Sequence, residues 1–404
     1  MPLGWIDFSK SERSKMLTVL DLLSEPGILD ELGIAPIRDG FSNLFFPGTS
    51  TIQTRAKYFF IVPYALKDLE YSDVSDPNHM LRALDERERE CAELLLHNID
   101  DTDGIIGSRS LKQGKWVKRT PADIYWSGMR SYGIFAGGNL SLTEYVKAIC
   151  ALKRQKTTLI KLGNRKDSAN EGEQDDKDAG ELFRIQFWNI PTYTNDWIQN
   201  LSIKLTLDEG AFLKEQIIYS FPDSMLAFIL KNRCLEALEC NSFKKLSNLI
   251  RIFPEQVQTD YLLASSFSDF LYVLRVIYNL IISNSKNQNA LNEWKEVQPL
   301  LSERSEVNLT KIFKRLQVCE NVCLRNFLQK CKEFMALGDL KGMKAEICRR
   351  ERQLKQTRAK TLHPGEFDPE IWYGGKTLDY RFSNAVLIMK DLFESEGLYV
   401  KSNK

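Results

Sequence analysis

Two regions of this sequence gather cations, and in the first they interleave with aromatic rings, a combination that holds phosphate and stacks on bases or sugars. The first joins Arg55 and Lys57 to Lys115, Lys118, Arg119 and Arg130, with Tyr58, Trp116, Tyr125, Trp126 and Tyr132 as neighbours. The second is KAEICRRERQLKQTRAK, Lys344 to Lys360, seven cations against Glu346 and Glu351. Arg349, Arg352 and Gln356 fall near one another there at helical period, and Arg350 lies beside them. Each cation placed at a phosphate would release counterions and make binding salt-dependent. The competing expectation is structural: Arg55 and Arg130 in ion pairs, the rings in a core, and the second stretch a solvated helix face.

Other chemistry is poorly served. Gly133 to Gly138, GIFAGG, lacks the Lys-Ser/Thr that completes a phosphate loop. There is no Gly-x-Ser-x-Gly elbow for a nucleophile. His79, His97 and His363 stand far apart, and Cys319, Cys323 and Cys331 share a helix face with no further ligand in reach. That face is read as a core stripe, and neither a metal nor a cofactor is expected. The segment 362–382, with LHPG, WYGG and LDYRF, concentrates aromatic, glycine and ionic residues as functional loops do. Arg381 there can meet Asp379 or a phosphate, and an enzyme reading would rest on Asp379, Arg381 and His363.

Composition narrows the classes further. Across 404 residues the formal net charge is +1, so no global field selects a polyanion and any such site must come from local segregation. The eight cysteines, scattered through apolar-periodic segments, read as reduced thiols. Met1 to Lys10 lacks a secretory pattern, and the apolar run Phe270 to Ile282 is interrupted by Arg275 and Asn279. That run is shorter than the ~20 apolar residues of a membrane helix. A cytoplasmic protein without a membrane partner is expected.

The elements that must position these residues are mostly helices. Ser9 to Glu12 reads as a capping box. Helices are expected over Thr51 to Leu69, with a kink or restart at Pro63, and over Met80 to Asn98. Thr120-Pro121 starts a helix that ends near Tyr132, and another runs through Arg154. That order permits a helix-turn-helix-like unit. Short strands are expected at Trp5 to Phe8, Lys115 to Val117 and Phe183 to Trp188. The segment Arg165 to Glu181, RKDSANEGEQDDKDAGE, has no large apolar residue and reads as an acidic linker. The expected fold is thus mainly α, multi-helical, with a few short strands near the N-terminus and mid-chain. Two domains follow: residues 1–163, a linker 164–182, and residues 183–404 carrying the loop 362–382.

Several segments resemble a bacterial family catalogued as domain of unknown function 6361. They are Gly4 to Ser9, PGTST at Pro47 to Thr51 with TRAKYF at Thr54 to Phe59, RTPADIYW at Arg119 to Trp126, and LDYRF at Leu378 to Phe382. The resemblance runs along nearly the whole chain, and it implies an accessory gene of variable bacterial genome regions. It assigns no catalytic residue. Three functions are therefore expected in competition: a nucleic-acid-associated accessory protein, with an anti-phage or mobile-element system as the setting the resemblance implies; a helical scaffold that binds a protein partner from a neighbouring gene; and an enzyme of unrecognised type.

Overall fold

Local capping chemistry decides where many of the helices begin. The computed structural model describes residues 30–97, 102–166 and 186–400. In chain order the helices are α1 (Ala35–Phe45), α2 (Tyr58–Tyr71), α3 (Pro77–His97), α4 (Ser108–Leu111), α5 (Pro121–Ser131) and α6 (Leu142–Lys166). They continue with α7 (Leu207–Ser220), α8 (Met225–Asn232), α9 (Glu255–Ile282), α10 (Gln288–Val297), α11 (Leu301–Arg304) and α12 (Leu309–Arg315). The last three are α13 (Val322–Ala336), α14 (Leu340–Lys355) and α15 (Phe382–Ser395). Thr120 caps α5 in a reciprocal box with Asp123, with Pro121 in the first turn, and Thr206 caps α7 in the same way with Glu209. Ser224, Asn287, Asn308, Asn321 and Asp339 each accept a backbone N–H at the head of their helices.

The mainly helical expectation holds, and among the described residues no strand forms at Lys115 to Val117 or at the described end of Phe183 to Trp188. Among the described residues the only β pairing is one antiparallel bridge, Phe135 with Trp188. Lys115 to Val117 is irregular, because Trp116 is drawn sideways to Asp85 rather than into a ladder. Trp5 to Phe8 and the Ser9 helix lie outside the described residues, as does most of the acidic segment. Helix α2 continues through Pro63 without restarting and starts later than Thr51. Helix α1 was not foreseen; Pro36 and Gly40 mask its periodicity.

The chain divides into two units that do not follow the expected boundaries. The first comprises Met1–Ser42 and Ile250–Tyr380, the second Asn43–Leu249 and Arg381–Lys404. The first unit is organised around α9, which packs against α10, α12 and α14. Helix α9 is long and apolar enough to cross a membrane by length and composition, and 72% of its apolar window is buried within the fold. Its polar residues fasten the 362–382 segment. Arg275 donates to the Lys376 carbonyl, and Asn279 exchanges hydrogen bonds with the Tyr373 backbone at 2.9 Å each. Ser268 accepts from the Leu378 N–H at 2.9 Å, and the Tyr380 hydroxyl donates to the Ala264 carbonyl at 2.7 Å. A loop that satisfies its backbone this way has an evident structural task.

In the second unit α2 packs against α3 and α5, and α6 packs against both α3 and α5. Helix α15 lies on α7. The buried face of α5 takes in Pro121, Ala122, Ile124, Tyr125, Trp126, Gly128 and Met129, so α5 is a core helix. All eight cysteines are free thiols. Cys331 is buried, but Cys319 and Cys323 are exposed, which corrects the reading of these three as one core stripe. Asn321 caps α13 between them, so Cys319 stands before the helix.

Candidate functional site

The segment after the Pro47-Gly48 turn carries the first two candidate cations, and both turn inward. Arg55 is 5% exposed. Its Nε donates to both oxygens of Asp391, at 2.9 and 3.0 Å, and its second terminal nitrogen lies 2.9 Å from Oδ1. The Ala56 N–H donates to the same carboxylate at 2.7 Å. Burial pushes the Asp391 carboxyl up, while the Arg55 guanidinium and the Ala56 N–H draw it back. Lys57 is also buried, with its ammonium at 2.8 and 2.7 Å from the two oxygens of Glu209. Neither cation belongs to a solvent-facing set. A charge removed from water must be matched nearby, and here α15 and α7 supply the carboxylates.

The aromatic neighbours complete this interior. The Tyr125 hydroxyl accepts from the N–H groups of Thr54 and Arg55 and donates to the Arg55 carbonyl. The Tyr58 hydroxyl accepts from the Ile106 N–H at 2.8 Å. Tyr132 donates to the Pro47 carbonyl at 2.7 Å, and Trp126 packs on Phe135 and Trp188. Arg381 donates to Asn43 Oδ1 and to the Thr49 carbonyl, both at 2.8 Å. Asn384 donates to the Thr51 and Gln53 carbonyls. The PGTST, TRAKYF and RTPADIYW segments thereby meet one another, and Arg381 and Asn384, in the second unit. The Tyr64 hydroxyl donates to Glu209 at 3.2 Å beside the Lys57 pair. Tyr64→Phe is expected to lower stability by about 1–2 kcal/mol, read as a lower urea midpoint at unchanged slope.

A different surface is left by the same stretch of chain. Between Asp103 and Asp123 the sequence holds no acidic residue and five cations: Arg109, Lys112, Lys115, Lys118 and Arg119. All five are exposed, and none has a side-chain partner among the described residues. The segment is nonetheless held. The Trp116 indole N–H donates to Asp85 Oδ1 at 2.8 Å, and its ring lies against Gly107. A Cβ at Gly107 would sit 2.6 Å from that ring, and Gly107 has φ +88°. The Lys115 N–H donates to the Ser110 carbonyl at 2.9 Å, closing the turn. On the adjoining α3, Arg87 pairs with Glu90 and Arg89 with Glu93, so those acids are engaged on their own helix. Arg130 is half-buried and donates to Asn139 at 3.1 Å, which separates it in role from the exposed five.

Residues 1–161 match the model of a family of unknown function, DUF6361. Neither the curated proteins nor the solved structures yield a match. The DUF6361 match contains Arg55, Lys57, Tyr125 and the exposed cations, whereas Glu209, Asp391 and the LDYRF segment lie beyond it.

In the first unit the second candidate stretch separates by burial. Arg350 is 4% exposed; its Nε donates to the Leu32 carbonyl at 3.0 Å, and its guanidinium lies over the Phe327 ring at 5.5 Å. It is a core residue, and its candidacy is withdrawn. Arg349 is bonded to both oxygens of Glu346. Arg352 is exposed, without a side-chain partner among the described residues. His363 is exposed and faces Glu366 at 3.5 Å. No group of three metal-ligating side chains occurs among the described residues.

Sequence reasoning missed Arg109 and Lys112, although the acid-free run from Gly104 to Ala122 was a legible signal. It also missed Asp391 and Glu209. The capping box at Thr206 marks Glu209 as a helix-start residue, but nothing local ties it to Lys57.

Proposed function

We propose that this chain is a non-catalytic accessory protein that associates with nucleic acid, holding phosphates with the exposed cations Arg109, Lys112, Lys115, Lys118 and Arg119. The observation that carries the reading is their shared exposure in an acid-free segment pinned by Trp116. In a chain of net charge +1, such segregation is what a local polyanion contact requires. Arg352 is a further exposed cation, on the other unit. An anti-phage or mobile-element setting rests on the bacterial family resemblance alone.

The test is fluorescence anisotropy of the full chain with labelled nucleic acid at two salt concentrations. Binding should weaken at least about tenfold between ~50 and ~200 mM salt. The triple variant Lys115→Glu, Lys118→Glu, Arg119→Glu should lose at least about tenfold in affinity at low salt, because three phosphate contacts become repulsive. Arg349→Glu should matter less, since Glu346 already engages that guanidinium. Equal affinity of wild type and triple variant would remove the proposal.

One observation favours a partner-binding subunit instead. Tyr71, Leu207 and Tyr219 in the second unit, and Leu262 and Leu337 in the first, are large apolar side chains left exposed. That reading expects co-purification with a neighbouring gene product that survives high salt.

A further inference from the structure

The exposed segment also narrows the ligand, an inference that rests on the nucleic-acid reading above. We infer that the 109–119 segment recognises the phosphate backbone of a double-stranded nucleic acid through charge alone, without base contacts.

Three observations point there. First, the rings that a single strand would stack on are withheld. Tyr58, Tyr125, Trp126 and Tyr132 are buried, and Trp116 is committed to Asp85 and Gly107. Single-strand binding draws much of its strength from exposed aromatic platforms. Second, the segment offers no element with which to read a groove. Its only helix is the four-residue α4, and α5 behind it is core. Three of the five cations are lysines, point charges that suit phosphate oxygens better than the paired acceptors of a base edge. Third, Gly114 at the turn has φ +69°, and no atom lies within 4 Å of where its Cβ would stand. The turn therefore projects into open space, where a rod-like polyanion can approach. For a surface that reads only charge, the duplex is the favoured form, because it carries about one charge per 1.7 Å of axis, twice that of one strand.

The experiment titrates the full chain with two labelled duplexes of about 20 base pairs and unrelated sequence, and with one single strand of equal length. The two duplexes should bind within about twofold of each other, and the single strand more weakly. The log–log salt slope for duplex should not exceed about −4.5, the limit for five phosphate contacts. Arg109→Gln with Lys112→Gln should cut that slope by about 1.8. The charge-conserving pair Arg109→Lys with Lys112→Arg should keep it, and a thermal melt confirms that both variants remain folded. Tighter binding to the single strand, or more than tenfold preference between duplexes, overturns the duplex-backbone inference while leaving nucleic-acid association standing. Binding to anionic phospholipid vesicles with none to any nucleic acid overturns both. An unchanged slope in the Gln pair removes this segment as the site.

Discussion

Asp391→Ala is expected to destabilise the protein by about 3–5 kcal/mol, the usual consequence of removing one partner from a buried ion pair. The Asp391 carboxylate takes hydrogen bonds from the Arg55 guanidinium and the Ala56 N–H, and both side chains are 6% exposed. Alanine leaves the guanidinium inside without that carboxylate, and water cannot readily replace it. The double variant Arg55→Met with Asp391→Leu should recover part of the loss, because no buried charge is then left unmatched, while the Ala56 N–H still lacks its acceptor. Urea denaturation followed by tryptophan fluorescence reads the effect, since Trp126, Trp188 and Trp197 lie in the same unit. A single variant as stable as wild type would show that the pair is not enclosed. The same reasoning makes α15 a structural part of the unit that contains most of the DUF6361 match.

Glu88→Gln is expected to stabilise the protein, and increasingly so as pH rises. Glu88 is 1% exposed; one carboxylate oxygen accepts the Ala122 N–H at 2.6 Å, and the other has no partner among the described residues. Burial pushes its carboxyl from 4.5 up to about 8, against the lowering effect of the Ala122 N–H and Thr120. A carboxyl raised in the folded state binds a proton that the unfolded chain has released. The contribution of this group to stability is therefore greatest below pH 4.5, falls by about 1.4 kcal/mol per pH unit across the window up to pH 8, and levels off above it. Glutamine resembles the protonated acid, keeps an acceptor for Ala122 and does not titrate. The gap between variant and wild type should thus be near zero at pH 4.5 and widest above pH 8. Melting both proteins across that range checks it; parallel curves would mean that Glu88 titrates normally.

Much of the local structure was legible in the sequence. Thr120-Pro121 with Asp123, and Leu207-Asp208-Glu209 after Thr206, mark helix starts because the free N–H groups are satisfied by residues within three positions. Periodicity located α3 for the same reason: the pattern repeats within a few turns. The expected strand ending at Trp188 failed because short apolar runs look alike whether they pair in a sheet or dock individually. Phe187 and Trp188 dock against Phe135 and Tyr145 with a single bridge. The sequence singled out the 362–382 segment for its composition, but what fastens it is its backbone at Tyr373, Lys376 and Leu378, held by Asn279, Arg275 and Ser268, together with the Tyr380 hydroxyl on Ala264.

What the sequence determined alone was therefore the helical class, many of the helix starts and the separation of cations from acids along 104–122, all properties of neighbouring residues. Only the tertiary structure decided which cations face water. Arg55 meets Asp391 across 336 positions and Lys57 meets Glu209 across 152, so their neutralisation leaves no local trace. Charge is written in the chain, but desolvation depends on what folds over it, and that was fixed here by α7 and α15 closing on a segment far away in the sequence.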